Sequence, residues 1–380
     1  MNKVLMTASM LLLSALMFVS CEETGGEDVS MDAGFFISVD KNVISSNGED
    51  FVTFKALLDG NDVTSATEFY LMSGKNLSKI ASNVFSTNEA GDYLFMASYG
   101  TFNTTDAVVV SAINATIPEA AVDADPSNTS FVHRSFLNQY TGTGCPYCPG
   151  MKRAIKYAFQ DEETANMAVL ATVHSYGTGD PAYIAAPRAS SYPYLDIDMS
   201  AGFTYDMDPY AEGKVLKKAL QENTSQPAKV GISANPSLEG DLLVVRIAVK
   251  AAETGEYRLG VWFLQDNIYG QQADKLGIVA SDKSYNTHDD CVRKVDSKYQ
   301  NNYAGYPVGT IKAGETVERT FVLKVEASDW KLKNMSDLHF AAFVSSVKTK
   351  VSDKGRTYQY IGIDNVVDCK YNEPTPFEYK

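Results

Sequence analysis

The stretch that decides the fold is Tyr140-Thr141-Gly142-Thr143-Gly144-Cys145-Pro146-Tyr147-Cys148. An apolar run that ends at Leu137 precedes it, and a helix-compatible stretch over residues 151–160 follows it. The two residues between the cysteines let the sulfurs meet in a small disulfide ring. A helix that begins beside Cys145 would stabilise its thiolate, because the unpaired amides at a helix N-terminus carry partial positive charge.

The elements predicted around this motif follow the order of a thioredoxin core. We expect a strand, the C-x-x-C turn, a helix, a buried strand, a long loop, a hairpin and a last helix. Their predicted ranges are 130–137, 151–160, 167–173, 194–197 with 202–205, and 208–223. The sequence therefore predicts an α/β thioredoxin-like domain over residues 130–226.

Such a domain predicts thiol–disulfide exchange. In thioredoxin-like enzymes the first cysteine, here Cys145, attacks a substrate disulfide, and the second, Cys148, resolves the mixed disulfide. The dipeptide Pro146-Tyr147 is the one that glutaredoxins carry, and such centres have potentials of roughly −200 to −230 mV. A cis-proline opposite the motif shapes the substrate groove in this fold. The spacing nominates Pro193, 45 residues after Cys148, and an ordinary trans proline is the alternative.

Two features weaken the exchange hypothesis. Gly144 stands where thioredoxins usually have a tryptophan, and Asn138 and Gln139 stand where they bury a carboxylate that helps to deprotonate the resolving thiol. Neither amide takes a proton near neutral pH, so we expect slow reduction of substrates, whereas an oxidase or isomerase role suffers less. We expect His174 either to lie near the cysteines or to be a hydrogen-bonded structural histidine.

All-β modules are predicted on both sides of this domain. Residues 33–114 contain short apolar runs between turn signals, which predicts a β-sandwich, and residues 115–129 are predicted to be a linker. Strand-like runs resume after Pro227, so residues 227–380 are predicted to form a C-terminal all-β sandwich. Within it, the polar segment 266–307 is so long that we expect it to be functional or a covering flap.

The N-terminus predicts a lipoprotein, on the cell surface or on the periplasmic face. Residues 1–20 form a signal peptide whose apolar run is too short to be a comfortable membrane span. Its end resembles a lipobox, in which Cys21 becomes the lipidated first residue; a secretory signal with a chance cysteine is the alternative. Residues 21–32 are predicted to be an acidic, flexible tether. This tether resembles the surface-export signal of Bacteroidetes lipoproteins, and a solvated spacer is the alternative.

Charge and motifs exclude several function classes. The net charge of −14 becomes −15 once Lys3 is removed with the signal peptide, so nucleic acid and anionic headgroups are poor partners. We expect membrane attachment through the lipid alone. The C-x-x-C pair lacks a second pair, and the four histidines are scattered, so we expect no metal. Because no phosphate loop, dinucleotide fingerprint or G-x-S-x-G motif occurs, we expect no cofactor.

Two further cysteines, Cys291 and Cys369, are 78 positions apart. Five cysteines fit an oxidising compartment, and we predict a structural disulfide between these two. Such a bond would contribute on the order of 4 kcal/mol through the unfolded state. Sequence alone does not determine disulfide connectivity.

The chain resembles the outer-membrane-protein-28 family of Bacteroidetes lipoproteins over about residues 130–370. The resemblance rests on residues 140–149, on Val261-Trp262-Phe263-Leu264-Gln265-Asp266, and on the segment with Tyr285, His288 and Val292-Arg293. It implies an outer-membrane lipoprotein with a thioredoxin-like domain, and it does not imply a known substrate.

The N-terminal module resembles bacterial immunoglobulin-like domains. Its turns Gly60-Asn61-Asp62-Val63-Thr64 and Ala90-Gly91-Asp92-Tyr93 match turns that are usual in such domains. The resemblance implies an Ig-like sandwich over residues 33–114.

Two functions are consistent with these residues. Exchange at Cys145 and Cys148 would act on a protein disulfide substrate. Alternatively, the chain is a non-catalytic binding or adhesion lipoprotein for an extracellular ligand, and the disulfide is a structural clip.

Overall fold

The computed structural model describes residues 34–105, 107–204, 208–296, 303–351 and 355–380. The predicted signal peptide, Cys21 and the predicted tether lie outside the described residues. The fold is multidomain and mostly β, and 46% of the described residues are in strands and 13% in helices. No helix in the described part of the chain is long and apolar enough to cross a bilayer.

The N-terminal part is all-β, as predicted. Strands β1 to β10 span Phe35–Val39, Val43–Ser45, Val52–Leu58, Asn61–Asp62, Glu68–Ser73, Asn76–Lys79, Val84–Phe85, Gly91–Tyr99, Phe102–Asn103 and Val108–Ile113. One sheet has the order β1-β3-β4 with β7 on β3, and the other has the order β2-β10-β8-β5-β6 with β9 on β8. Phe54 from the first sheet packs against Phe69 and Phe95 from the second, with ring centroids 5.6 and 4.6 Å apart. The two sheets therefore enclose one apolar core.

The middle part contains both helices and parallel strands. Its elements are β11 (Ser135–Thr141), α1 (Cys148–Ala158), α2 (Glu162–Ala165), β12 (Ala168–His174), β13 (Tyr194–Ile197), β14 (Ala201–Thr204) and α3 (Pro209–Asn223). Strands β11 and β12 are parallel, whereas β13 is antiparallel to β11 and to β14. Apart from the short helix α2, which was not predicted, this is the element order that the sequence predicts, including the hairpin.

Helices α1 and α3 cover one face of these strands. Met151 and Ile155, one helical turn apart, pack with Leu216 and Leu220 of α3 against β11 and β13. The helices approach closely at Gly213, where a Cβ atom would lie 2.6 Å from the Tyr157 ring. The side chain of Asp208 begins α3 by accepting hydrogen bonds from two backbone amides of its first turn.

The described residues of the C-terminal part add ten strands and one short α-helix. These are β15 (Val230–Glu239), β16 (Leu242–Ala251), β17 (Gly255–Gln265), β18 (Ile268–Tyr269), α4 (Ile278–Ser281), β19 (Thr287–His288), β20 (Cys291–Val295), β21 (Tyr306–Ile311), β22 (Thr316–Lys324), β23 (Leu338–Val351) and β24 (Thr357–Lys370). Strands β15, β16 and β22 form a separate three-stranded sheet. Its Ile247 and Leu323 share a buried cluster with Phe263 and Phe340 of β17 and β23, so two sheets face each other here.

One nine-stranded sheet joins the middle and C-terminal parts. Its order is β14-β13-β11-β12-β20-β17-β23-β24, with β21 on β17. The parallel pair β12–β20 makes the connection, with Thr172 opposite Cys291 and the Thr172 amide donating to the Asp290 carbonyl at 2.7 Å. Strands from both sides of the predicted boundary at residues 226 and 227 therefore lie in one sheet. The open edge of a buried strand needs hydrogen-bond partners, and β20 supplies them to β12.

The predicted disulfide between Cys291 and Cys369 is wrong, because both cysteines are free and buried. Cys291 lies on β20 and Cys369 on β24, and β17 and β23 lie between them in the sheet. Three strand spacings separate the two positions by roughly 14 Å. A disulfide requires Cα atoms about 5.5 Å apart.

The predicted linker contains no helix or strand, and it is bound to the C-terminal part. Lys250 of β16 is 2% exposed, and its ammonium donates to the Asp123 carboxylate at 2.9 Å and to the Pro126 carbonyl at 2.7 Å. The Tyr379 hydroxyl donates to the same carboxylate at 2.5 Å. This buried ion pair ties the linker to the sheet.

We expect Lys250→Met to destabilise the protein by about 2 kcal/mol, because the Asp123 carboxylate and the Pro126 carbonyl lose their cationic donor. Urea unfolding would measure the change. Lys218→Met is the control, since Lys218 is exposed in a surface ion pair with Glu222, and its loss should cost under about 0.5 kcal/mol. Equal midpoints for the two variants would contradict a clamping role for Lys250.

Candidate functional site

The cysteines of the C-x-x-C motif form a disulfide where β11 leads into α1. The Cys145–Cys148 bond is 2.06 Å long, and each residue is only 1% exposed. Helix α1 begins at Cys148, so its N-terminus, the positive end of the helix dipole, lies beside the motif. The turn before the motif requires Gly142, because a Cβ atom there would lie 2.7 Å from the Tyr176 Cβ.

Pro193 lies at the same edge of the sheet as the disulfide. The Tyr192–Pro193 peptide bond is cis, the isomer that we predicted. The next residue, Tyr194, pairs with Tyr140 of β11, just before the motif turn. A second cis bond, between Ala186 and Pro187, was not foreseen from sequence.

A segment from the C-terminal part covers the motif. We call residues 270–275 the strap. The amide of Gln272, itself 8% exposed, donates to the Cys145 carbonyl at 2.9 Å and to the Thr143 carbonyl at 3.1 Å. The Ala273 backbone amide also donates to the Thr143 carbonyl, at 2.7 Å. The strap therefore binds the backbone on the N-terminal side of the disulfide.

Both ends of the strap are anchored. The Lys275 amide donates to the Pro146 carbonyl at 3.0 Å, inside the C-x-x-C ring. At the other end, His288 Nε2 lies 3.1 Å from the Gly270 carbonyl. Burial lowers the pKa of His288 to about 4, so the ring is neutral and can donate this hydrogen bond. The strap lies within the segment that the sequence predicts to be functional or a covering flap.

A shallow depression of about 520 Å³ opens beside the strap. It is lined by residues 143–144 of the motif turn, by the 176–180 loop and by strap residues Gln271 to Ala273. Exposed Tyr176 lies over Gly144, in the position next to Cys145 where thioredoxins have a tryptophan.

His174 is connected to the motif through Asp180. Its Nδ1 lies 2.9 Å from the Asp180 carboxylate, which also accepts the backbone amide of Thr143. Burial opposes ionisation of Asp180, but the bonds from His174 and from the Thr143 and Ala182 amides outweigh it and hold the pKa of Asp180 well below its ordinary value. His174 thus fixes the turn before the disulfide rather than either cysteine directly.

Cys291 lies on the other side of His174, an arrangement that sequence reasoning missed. Its sulfur is 3.6 Å from His174 Nε2, which makes a Cys–His–Asp series with Asp180. Both Cys291 and His174 are 0% exposed, and burial raises the pKa of the Cys291 thiol well above its ordinary value. The thiol is therefore a packed, protonated group rather than an accessible nucleophile. Only the β12–β20 pairing brings these residues together, so no local signal could have found them.

The side-chain amides of Asn138 and Gln139 lie on opposite faces of β11. Asn138 donates to the Asp196 carboxylate at 2.9 Å, and burial raises the pKa of Asp196 to about 6. Leu137 and Leu195 pack against the helices, so strand alternation directs Asn138 and Asp196 to the opposite face, away from α1. Asp196 therefore does not replace the missing carboxylate, and Gln139, 2% exposed, occupies the helix side.

We expect Gln272→Ala to accelerate reduction of the Cys145–Cys148 disulfide by dithiothreitol about tenfold. In the wild type, local opening of the strap must break the hydrogen bonds of the Gln272 side-chain amide, and in the variant these bonds are absent. Alkylation of the new thiols followed by mass spectrometry gives the rate. Gln271→Ala is the matched control, since Gln271 is exposed in the same strap. If both variants are reduced at the wild-type rate, the strap does not limit access.

We expect Asp196→Asn to change how stability depends on pH. Asp196 keeps its proton in the folded state up to about pH 6, whereas the unfolded chain loses it near 3.8, so this group lowers stability as pH rises between those values. Between pH 4 and pH 7, the free energy of unfolding of the variant should rise relative to that of the wild type by on the order of 2 kcal/mol, as measured by urea unfolding. Exposed Asp329→Asn is the control, and parallel profiles for wild type and Asp196→Asn would contradict the assignment.

Comparisons with known proteins add little to this site. No family model matches the sequence, and no curated protein matches it. Among solved structures, the chain is similar to HBP35 of Porphyromonas gingivalis, with 16% identity and a TM-score of 0.47 over 66% of this chain and 78% of that chain. It is also similar to a DUF3823 family protein of Bacteroides ovatus, with 9% identity and a TM-score of 0.18 over 90% of this chain and 100% of that chain. Both TM-scores are below 0.5, so neither likeness carries an argument about fold or function.

Proposed function

We propose that this protein is an outer-membrane lipoprotein that exchanges disulfides with protein substrates through Cys145 and Cys148 of a thioredoxin-like domain. The observation that carries the proposal is the disulfide at the N-terminus of α1, at the same sheet edge as the cis bond of Pro193. A helix N-terminus stabilises a cysteine thiolate, which is the attacking and leaving form in exchange.

The proposed chemistry begins from the disulfide. A substrate thiolate attacks the Cys145 sulfur, a mixed disulfide forms, and Cys148 leaves as a thiolate. A second substrate thiolate then attacks the substrate sulfur of the mixed disulfide, which closes the substrate disulfide and releases Cys145. The substrate loses two electrons, and the Cys145–Cys148 pair gains them. The absence of a carboxylate at Gln139 favours this oxidising direction, because reduction of substrates needs a base for the resolving thiol.

The strap sets the access to this pair. A substrate must enter from the depression beside Gly144 or displace Gln272 from the carbonyls of Thr143 and Cys145. Both routes favour an extended, unfolded segment over a folded domain as the substrate. The lipid on Cys21 would hold the site at the membrane surface, with the acidic chain facing water.

A second candidate is a non-catalytic binding lipoprotein. The observation that favours it is the 1% exposure of both cysteines beneath the strap, which is expected of a structural clip. The β-sandwiches would then present the surface for an extracellular ligand.

A redox titration of the full chain separates these functions. We expect the Cys145–Cys148 pair to have a potential between about −120 and −270 mV, the range of exchange catalysts. Thiol alkylation and mass spectrometry at each glutathione ratio give the value. A potential below about −300 mV matches a structural disulfide and would overturn exchange in favour of the binding function.

Two variants test the roles of the cysteines. Cys145→Ser should abolish oxidation of a reduced, unfolded protein substrate. In Cys148→Ser the lone Cys145 thiolate should attack a substrate that already contains a disulfide, release one substrate thiolate and stay joined to the other sulfur in a trapped mixed disulfide. Cys369→Ser is the control, since Cys369 is a buried free thiol on a distant strand. Normal turnover by Cys145→Ser would exclude exchange at this pair.

A further inference from the structure

A histidine and three aspartates meet on four segments of the nine-stranded sheet, away from the disulfide. Asp266 follows β17, Asp290 precedes β20, His339 lies on β23 and Asp368 lies on β24. From sequence we expected no metal, because the C-x-x-C pair lacks a second pair and the four histidines are scattered along the chain. The strand order brings them together, since β20, β17, β23 and β24 are consecutive neighbours in the sheet.

The histidine ring is oriented by one of these carboxylates. His339 Nδ1 lies 2.7 Å from Asp368 Oδ1, so a proton on Nδ1 is donated to that oxygen. The opposite nitrogen, Nε2, is buried, and no acceptor among the described residues meets it with hydrogen-bond geometry. It faces Asp266 Oδ1 at 3.4 Å and Asp290 Oδ1 at 3.9 Å. Burial opposes the charged ring, but the interactions with Asp266 and Asp368 outweigh it and raise the pKa of His339 to about 10. Nε2 therefore carries a proton that faces two carboxylates, and a bound zinc ion would displace that proton.

We propose that Asp266, Asp290 and His339 bind one zinc ion. The three ligand atoms lie within 4.8 Å of one another. Zinc with bonds of about 2.0–2.2 Å in a tetrahedral site places its ligand atoms roughly 3.3–3.5 Å apart. The distance of 3.4 Å from Asp266 to His339 already meets this requirement, and that of 3.9 Å from Asp290 requires a shift of a few tenths of an ångström.

The surroundings of these ligands support a metal. The pairing of Asp368 with His339 is the carboxylate–histidine arrangement that holds a zinc-ligating imidazole in the correct tautomer. Asp266 is also held in place, because its carboxylate accepts the Asp290 amide at 2.8 Å. The Asp266 and Asp290 side chains are 35% and 32% exposed, so an ion can enter and keep water in its fourth position.

The ligand set distinguishes between metals. An imidazole nitrogen with two carboxylates suits zinc and related first-row ions, whereas calcium takes six to eight oxygen ligands. The charge also fits, because zinc would neutralise the two carboxylates that converge on His339. One ion would link β17, β20 and β23, and so would strengthen the strands from which the strap extends.

Zinc titration of the chelated full chain tests the site. With the Cys145–Cys148 disulfide kept oxidised, we expect one zinc per chain by calorimetry and by elemental mass spectrometry. We expect the midpoint of thermal unfolding to rise with zinc concentration and not with calcium, because zinc binds only the folded site. His339→Ala should weaken binding at least a hundredfold. Asp368→Asn, which keeps all three ligands, should weaken it about 10- to 100-fold.

His133→Ala is the matched control, since the His133 ring contacts the Gln226 carbonyl in another part of the protein. It should bind zinc as wild type does. If His339→Ala does not fold, as judged by circular dichroism, Asp290→Asn takes its place as the ligand variant. The proposal is overturned if no zinc binds the wild type, if the ligand variant binds it equally well, or if Asp368→Asn has wild-type affinity. Any of those outcomes would mean that His339 is an imidazolium that forms ion pairs with Asp266 and Asp368 and does not bind zinc.

Discussion

The pairing of β12 with β20 is the interaction on which the rest of the arrangement depends. The Thr172 amide donates to the Asp290 carbonyl at 2.7 Å, and the Thr172 hydroxyl donates to the Asp289 carbonyl at 2.7 Å. Without β20, the edge of β12 would leave backbone groups unpaired beside an apolar core. Because β20 pairs with β17 on its other side, the helix-covered strands and the C-terminal strands share one sheet. Phe136 and Phe343, from its two halves, stack 5.0 Å apart as that sheet curls back on itself.

The position of the strap follows from this pairing. Strand β20 begins near the end of β12, so the connection from β17 to β20 must reach the sheet edge where the C-x-x-C turn lies. The residues of that connection then satisfy the carbonyls of the turn, as Gln272 does. The surroundings of the disulfide are therefore formed by two segments, the C-x-x-C turn and the strap, that lie more than 120 positions apart in the chain. The choice between the two proposed functions depends on whether the strap opens.

Buried aspartates differ in this fold because their partners differ. Asp180 has a histidine and two amides as donors, and its pKa is lowered despite burial. Asp196 is buried with neutral partners, and its pKa is raised to about 6. The type of side chain also matters near the disulfide. On the helix-covered face of β11, the position next to the motif is occupied by Gln139, which carries no charge. Gln139 therefore offers the disulfide no proton acceptor, although the protein as a whole is acidic.

The sequence by itself determined the elements whose causes are local. Short apolar runs between turn signals predicted the strands of the first module, the Asp208-Pro209 pair predicted the start of α3, and the motif predicted the Cys145–Cys148 disulfide. The observed bounds of α1, Cys148–Ala158, differ by two or three residues from the predicted range 151–160, because the helix begins directly at the second cysteine of the motif. Only the tertiary structure decided that Cys291 and Cys369 stay apart, that the strap covers the motif, and that His339 lies between two aspartates. Those outcomes depend on which strand edges meet, and edge pairing is a contact between distant residues that leaves no period or spacing in the chain.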